Sequence, residues 1–257
     1  MVTTVTKRIR QITQPYGGYL PLKAFTQKAL NDGNVLAAQE NIHGIIIGLA
    51  IDYMTRFLTG TPKEEAFDIS LKGIAIAASR DEKVLKEAER YFYLIEGNDK
   101  VSIVNACKLV IFDVWCRNPI GASGAKTAKD TNPDDDTVRN ISIMLQRSVD
   151  FFNKYGIIRS GFTFEGGYTS KVSAGDGDFL TKDTLWDLKV IKDKPSSKHT
   201  LQLLMYWIMG IHSVYPEFKN IKKLGFYNPR SNVVLTCDLS KVSDAVIKTV
   251  EDEVICY

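Results

Sequence analysis

The sequence predicts an α+β fold in which a large helical region precedes a β-sheet. Apolar residues recur at helical spacing almost throughout residues 43–156, and from residue 157 the pattern changes to short runs of aromatic and β-branched residues. With 257 residues and 44% hydrophobic content, the chain can bury a substantial core. We therefore expect a mainly helical region at residues 1–155 and a sheet-containing region at residues 156–257.

The helical region divides into five predicted helices, of which the first is a core helix. They span about 43–59, 61–78, 81–95, 98–117 and 137–155. The run Thr61-Pro62-Lys63-Glu64 has the form of a capping box and opens the second helix. Residues 117–136 are rich in Gly, Ala, Ser, Pro and Asp without periodicity, which predicts a mobile loop. The aspartates 134–136 favour an N-cap of the last helix over a metal site.

The sheet region combines short strands with two further helices. The strands span about 160–173, 176–190 as a hairpin, 223–228 and 232–237, and the helices span about 196–213 and from residue 240 onward. The dipeptide Lys182-Asp183 is the predicted hairpin turn. Such a turn places Asp178 opposite Asp187 and Asp176 opposite Lys189, on one face of the hairpin.

Asp178 and Asp187 are the candidate metal ligands. Opposite residues of an antiparallel pair have Cβ atoms about 4.5–5.5 Å apart, so the two carboxylates repel each other unless a cation or a proton intervenes. Hard oxygen ligands suit Mg²⁺ or Mn²⁺, and Lys189 can orient a water and stabilise charge on a phosphate. The alternative is a solvent-facing acidic hairpin with Lys189 in a cross-strand ion pair.

Three short motifs follow one another on a predicted strand, strand and helix. Gly175 and Asp178 form G-x-x-D, Asp187 and Lys189 form D-x-K, and Gln202 and Tyr206 form Q-x-x-x-Y, one helical turn apart. In this order the motifs resemble those of the PD-(D/E)XK nuclease superfamily, in particular its RecB-like exonuclease branch. The resemblance implies a restriction-endonuclease-like core at residues 156–257, with a central mixed β-sheet flanked by helices.

The resemblance also implies a role for each motif residue. Asp178 and Asp187 bind the metal, assisted by the main-chain carbonyl of Leu188. Lys189 assists the attacking water. The glutamine and tyrosine of the third motif line the site, with contacts to DNA or to the catalytic groups.

Two further residues are candidates to complete the metal shell. RecB-like relatives often carry a histidine on an earlier helix, which here is His43, and capping of its helix or a place in the core is the alternative for this residue. Glu165 is expected on the strand before the hairpin. An iron–sulfur cluster, which some relatives hold, is not expected, because the four cysteines form no close pair.

Basic charge is concentrated around the motifs. The net charge is only +3, but between Trp186 and Arg230 there are eight Lys or Arg residues against three Asp or Glu. The candidate DNA-binding residues are Lys192, Lys194, Lys198, Lys222, Lys223 and Arg230. A solvated lysine-rich surface is the alternative. With no apolar run of transmembrane length and no apolar signal segment, we expect a cytoplasmic protein without a membrane partner.

The sequence thus predicts a Mg²⁺- or Mn²⁺-dependent deoxyribonuclease acting on DNA, of the RecB-like exonuclease type. One alternative is a catalytically silent DNA- or protein-binding module with a regulatory role on the same fold. Serine hydrolases, zinc proteases and P-loop enzymes are disfavoured, because G-x-S-x-G, H-E-x-x-H and G-x-x-x-x-G-K-[ST] are absent. A protein partner or a homo-oligomer stays open, as does the choice between exonuclease and endonuclease.

Overall fold

The computed structural model describes residues 2–118, 120–122 and 127–257. Contacts divide these residues into two compact units, one formed by residues up to Leu30 together with Tyr155–Tyr257, and the other by Asn31–Lys154. The first 30 residues, which the sequence pattern grouped with the helical region, therefore fold with the sheet. Positions 119 and 123–126 of the predicted loop at 117–136 lie outside the described residues.

Among the described residues, one α-helix and one strand precede a long helical stretch, and the other five strands follow it. The helices are α1 (Val5–Gln11), α2 (Gly44–Leu58), α3 (Lys63–Ala66), α4 (Asp68–Ala78), α5 (Lys83–Tyr93), α6 (Lys100–Leu109), α7 (Asp113–Arg117), α8 (Asp135–Tyr155), α9 (Ser197–Ile211) and α10 (Asp244–Thr249). The strands are β1 (Thr26–Ala29), β2 (Ile157–Phe162), β3 (Gly177–Thr181), β4 (Thr184–Leu188), β5 (Lys223–Asn228) and β6 (Val233–Asp238). Short 3₁₀ turns and a C-terminal π-helical turn at Val250–Ile255 complete the chain.

The helical unit follows the predicted helices with two interruptions. The predicted helix at 61–78 is two helices, α3 and α4, which meet at Phe67. Helix α3 begins after Pro62 with no side-chain cap, so the predicted capping box is wrong. The predicted helix at 98–117 breaks at the 3₁₀ turn Val110–Phe112. Asp134 accepts a hydrogen bond from the Thr137 amide at 2.8 Å, which confirms the predicted N-cap of α8.

The sheet is six-stranded and mixed, with strand order β1-β6-β5-β4-β3-β2. Every neighbouring pair is antiparallel except β4 and β5, which are parallel. Helix α9 provides the crossover that a parallel pair requires, and it packs on β4 and β5. The hydrophobic core on this face includes Leu180, Leu185, Leu204 and Phe226. The predicted α+β fold with a mixed sheet flanked by helices is confirmed.

The hairpin of β3 and β4 has the predicted turn and register. Phe179 pairs with Trp186 and Leu180 with Leu185, which leaves the Lys182-Asp183 dipeptide as the turn. A buried side-chain hydrogen bond supports this turn. The Trp186 Nε1–H donates to Thr181 Oγ1 at 3.1 Å. The backbone is also tied to β5, since the amides of residues 222 and 223 both donate to the carbonyl of Asp183.

Within the described residues, no helix combines the length and the hydrophobicity needed to cross a membrane.

Candidate active site

The centre of the candidate site is a buried ion pair at the carboxyl end of β4. All five residues of β4 are buried, and the Asp187 side chain is only 3% exposed. Lys189 Nζ lies 2.9 Å from Asp187 Oδ2, with the lysine side chain 19% exposed. The alternative of a solvent-facing acidic hairpin is therefore wrong for Asp187. Burying a carboxylate is costly unless a positive charge compensates it, and the Lys189 ammonium provides that charge.

Asp178 approaches the same strand end from β3. Extending the hairpin register by one residue from the Phe179–Trp186 pair places Asp178 across from Asp187. Its Oδ2 accepts a hydrogen bond from the Leu188 amide at 2.8 Å. In a regular antiparallel pair, the Leu188 amide would donate to a backbone carbonyl of the neighbouring strand. Here the Asp178 carboxylate accepts that hydrogen bond instead. This bond fixes the Asp178 carboxylate beside the main chain of Leu188, the residue between the acid and the lysine of D-x-K.

The oxygen atoms at this strand end are of the type that binds divalent cations, but only a few of them are present. Asp187 Oδ2 is fully buried and, within the described residues, has no partner with hydrogen-bond geometry. Its 2.9 Å contact with Lys189 is an ion pair without a directed hydrogen bond. Carboxylate and carbonyl oxygens suit Mg²⁺ or Mn²⁺. In the described part of the chain, no group of three or more His, Cys, Asp or Glu side chains is arranged to hold a metal ion.

Helix α9 presents Gln202 and Tyr206 to this site. Gln202 Nε2 donates to the Tyr206 hydroxyl at 2.7 Å, and the Tyr206 ring stacks on Phe164 with centroids 5.0 Å apart. Burial raises the pKa of Tyr206 well above its usual value. The negative charges of the three carboxylates nearby raise it further, and these are Asp176, Asp187 and Asp178. The structure thus brings all three sequence motifs together.

Gly175 explains why the first motif begins with glycine. A Cβ built at this position would lie 2.9 Å from Val5 Cγ2 and 3.5 Å from Tyr206 Cε1. The first distance is shorter than non-bonded carbon atoms tolerate, so a side chain here would require the Val5 side chain to shift, whereas the second is an ordinary contact. Because Asp176 follows directly, close packing at Gly175 also keeps that carboxylate near the tyrosine. Asp176 is exposed, and among the three acids its charge acts most strongly on Tyr206.

The structure places the two additional metal-ligand candidates in a turn and at the start of a helix. Glu165 is not on a strand, because β2 ends at Phe162 and residue 165 falls in an exposed turn. Its carbonyl accepts from the Val214 amide, beyond the carboxyl end of α9. His43 belongs to the helical unit, where it is exposed and its Nδ1 caps α2 by accepting from the Ile45 amide at 3.2 Å. Capping, the alternative for His43, is thereby observed.

The candidate DNA-binding residues fall at two different ends of the strands. Lys192, Lys194 and Lys198 are exposed on the segment from β4 into α9, directly after the ion pair. Arg230 follows β5 at the same end of the strands. There Asn228 Nδ2 donates a hydrogen bond to the Ile191 carbonyl at 2.8 Å, which links the end of β5 to the segment after β4. Lys222 and Lys223 lie at the other end, because Lys223 pairs with Thr184. Thr184 and Asp187 are three residue steps apart along the strand, which is about 10 Å.

Comparisons with protein-family models, with curated proteins and with solved structures found no match to this chain. The resemblance to PD-(D/E)XK nucleases therefore rests on the motif residues alone.

One residue of the site was not singled out from the sequence. His199 stands in the first turn of α9, and its Nδ1 accepts a hydrogen bond from the Ser196 amide at 3.1 Å. Burial lowers the pKa of His199, the positive charge of Lys189 lowers it further, and the negative charge of Asp187 opposes this shift. Both charges of the Asp187–Lys189 ion pair therefore influence the pKa of this imidazole. Its spacing three residues before Gln202 was the available sequence signal.

Proposed function

We propose that this chain is a Mg²⁺- or Mn²⁺-dependent nuclease that hydrolyses phosphodiester bonds in DNA. The observation that carries the proposal is the Asp187–Lys189 pair, buried at a strand end with Asp178 across from it. Buried charges are expensive to keep, and a buried pair is weak evidence for stability. A catalytic role explains better than a folding role why the pair is kept next to a second carboxylate and a tyrosine.

The metal would be held by Asp178, Asp187 and the main-chain carbonyl of Leu188. A bound divalent cation acts as a Lewis acid on the phosphate and lowers the pKa of a coordinated water. Asp178 is pre-positioned for ligation by its bond to the Leu188 amide. Asp187 is already oriented by the ammonium of Lys189.

Lys189 and Tyr206 supply the protein's own contribution to the reaction. The ammonium is a mobile point charge on a long stem, and it can hold the attacking water and neutralise charge that develops on the phosphate. The Tyr206 hydroxyl keeps its proton, because burial and three carboxylates raise its pKa. It therefore acts as a hydrogen-bond donor rather than as a base, and Gln202 fixes its orientation.

The test is cleavage of linear, circular and single-stranded DNA by the purified protein with Mn²⁺. We expect Asp187→Asn and Lys189→Met to lose cleavage, while Asp193→Asn, an exposed acid on the same segment, keeps it. Activity unchanged in the first two variants would refute the assignment. Linear DNA cut in preference to circular DNA would identify an exonuclease.

A non-cleaving DNA- or protein-binding module is the second candidate. The small donor set favours it, since the described residues include no cluster of three or more ligating side chains. Calorimetry that shows DNA binding without any binding of Mg²⁺ or Mn²⁺ would establish this alternative. The cytoplasmic location expected from the sequence stays a prediction in either case.

A further inference from the structure

A stripe of polar side chains runs along α9 toward the carboxylates. His199, Gln202 and Tyr206 are spaced by three and four residues, so they lie on one face of the helix. Gln202 and Tyr206 are hydrogen-bonded to each other, and the charges of the three acids act on Tyr206. His199 begins this stripe one turn before Gln202. It is half-buried, in contrast to the exposed Lys198 beside it.

The hydrogen bonding of His199 determines which ring nitrogen carries the proton. The Ser196 amide is a donor, so Nδ1 must be an acceptor at 3.1 Å. A neutral imidazole has one protonated nitrogen, and here that nitrogen is Nε2. Nε2–H is therefore a donor, and it is on the ring edge away from the helix cap. As long as Nδ1 accepts the Ser196 bond, Nε2 keeps its proton, which favours a role as a donor over a role as a metal ligand.

We propose that His199 donates its Nε2–H to a phosphate oxygen of a bound nucleic-acid strand, next to the Asp187–Lys189 pair. The identity of the ligand rests on the proposed function. The contact would bring the strand along the α9 stripe toward Tyr206. A neutral donor suits this position, because Lys189 is close by and a second cation would compete with it for Asp187.

Three substitutions of His199 separate this contact from the capping of α9. Gln at the third helical position accepts the cap bond and keeps N–H donors, Glu accepts the same bond but has no donor, and Ala has neither. Ser196→Asp is the control for charge, since it adds the same negative charge to the same turn and leaves His199 in place. Thermal melting monitors capping in each variant.

The readout is affinity for a short fluorescein-labelled single strand, measured by anisotropy in EDTA and again with Ca²⁺. We expect His199→Ala and His199→Glu to bind about ten- to a hundredfold more weakly, as for a lost hydrogen bond to a charged group. His199→Gln should stay within about threefold of the wild type. His199→Glu should melt like the wild type and bind more weakly than Ser196→Asp.

Two results would overturn the inference. One is binding by His199→Glu that equals binding by Ser196→Asp, and the other is a wild-type protein that binds no strand in either buffer. A different result would refute the nuclease proposal without refuting the role of His199. If the wild type binds the strand but leaves it intact with Mn²⁺, the chain is not a nuclease, and the ranking of the His199 variants still decides whether this residue contacts phosphate.

Discussion

Gln202 Nε2 donates a hydrogen bond to the Tyr206 hydroxyl at 2.7 Å on helix α9, which packs on β4, the strand of Asp187. Because the hydroxyl oxygen is the acceptor in this bond, its own hydrogen is left to point away from Gln202. The negative charges of Asp176, Asp187 and Asp178 act on this hydroxyl. The bond from Gln202 thus orients the Tyr206 hydroxyl so that it can donate a hydrogen bond at the site.

Replacing Tyr206 by Phe should lower metal-dependent cleavage by about ten- to a hundredfold, the range for one lost hydrogen bond to a charged group. The ring keeps its stacking on Phe164, so the fold should persist with only a modest loss of stability. Single-turnover rates and melting temperature together measure the effect.

The matched control is Tyr227→Phe. This tyrosine is also buried and donates its hydroxyl to Asn232 Oδ1 at 2.9 Å, but it pairs with Leu188 and so lies on the opposite face of the sheet from Asp187. Tyr227→Phe should cost stability and leave cleavage unaffected. Equal losses of cleavage in both variants would show that Tyr206 acts only through stability.

Lys189→Met should destabilise the sheet unit by about 3–5 kcal/mol, because the buried Asp187 carboxylate is left without its compensating charge. Adding Asp187→Asn to this variant should recover much of the loss. Chemical denaturation of the two single variants and the double variant gives the coupling energy.

Mn²⁺ should stabilise Lys189→Met more than it stabilises the wild type, since the cation replaces the missing ammonium. The measurement is the shift in melting temperature with and without Mn²⁺. A shift no larger than that of the wild type would argue against a metal at Asp187.

The sequence predicted the local features of the site because they depend on short-range patterns. Strand alternation and a two-residue turn were enough to place Asp178 across from Asp187, and the bounds of β5 agree with the predicted strand at 223–228. Helical spacing was enough to align Gln202 with Tyr206.

Features that depend on distant parts of the chain were not predicted. Strand β1 carries little hydrophobic pattern, all four residues being exposed, and only its pairing with β6 makes it a strand. Glu165 was expected on a strand, but its turn is held by contact with Val214, which is far away in sequence. His199 resembles an ordinary helix-start residue until its neighbours Lys189 and Asp187 are known.

The helical unit contains an ion pair whose contribution to stability should depend on pH. Arg147 is nearly buried, and its Nε and Nη2 contact the two carboxylate oxygens of Asp32 at 2.7 and 2.8 Å. The hydrogen bond from Arg147 holds the pKa of Asp32 well below its usual value. A lowered pKa in the folded state stabilises the protein above the unfolded pKa near 3.8, and this contribution is lost as the pH falls below that value.

Asp32→Asn should therefore lower the free energy of unfolding by about 2 kcal/mol at pH 7, less than for a fully buried pair because Asp32 is partly exposed. The difference from the wild type should shrink below pH 4. Asp135→Asn, which breaks the exposed pair with Lys100, is the control and should change little at either pH. A difference that is independent of pH would show that charge is not its cause.

The two groups of basic residues provide a geometric test of DNA binding. Lys192 and Arg230 lie at the strand end that carries Asp187, whereas Lys222 and Lys223 lie about 10 Å away along the strands. If DNA is bound across the carboxylates, neutralising Lys192 or Arg230 with Gln removes one phosphate contact each. The slope of log affinity against log salt should then fall by about one per residue, with weaker binding to every sequence.

Lys222→Gln and Lys223→Gln are the matched controls, because they remove the same charge from the same basic segment at the other strand end. Their salt slope should stay close to that of the wild type. Affinity measured over a series of salt concentrations in EDTA separates the two groups without cleavage. A larger change of slope for Lys222 and Lys223 would place the nucleic acid at the turn of the hairpin, away from Asp187, and would contradict a reaction at the carboxylates.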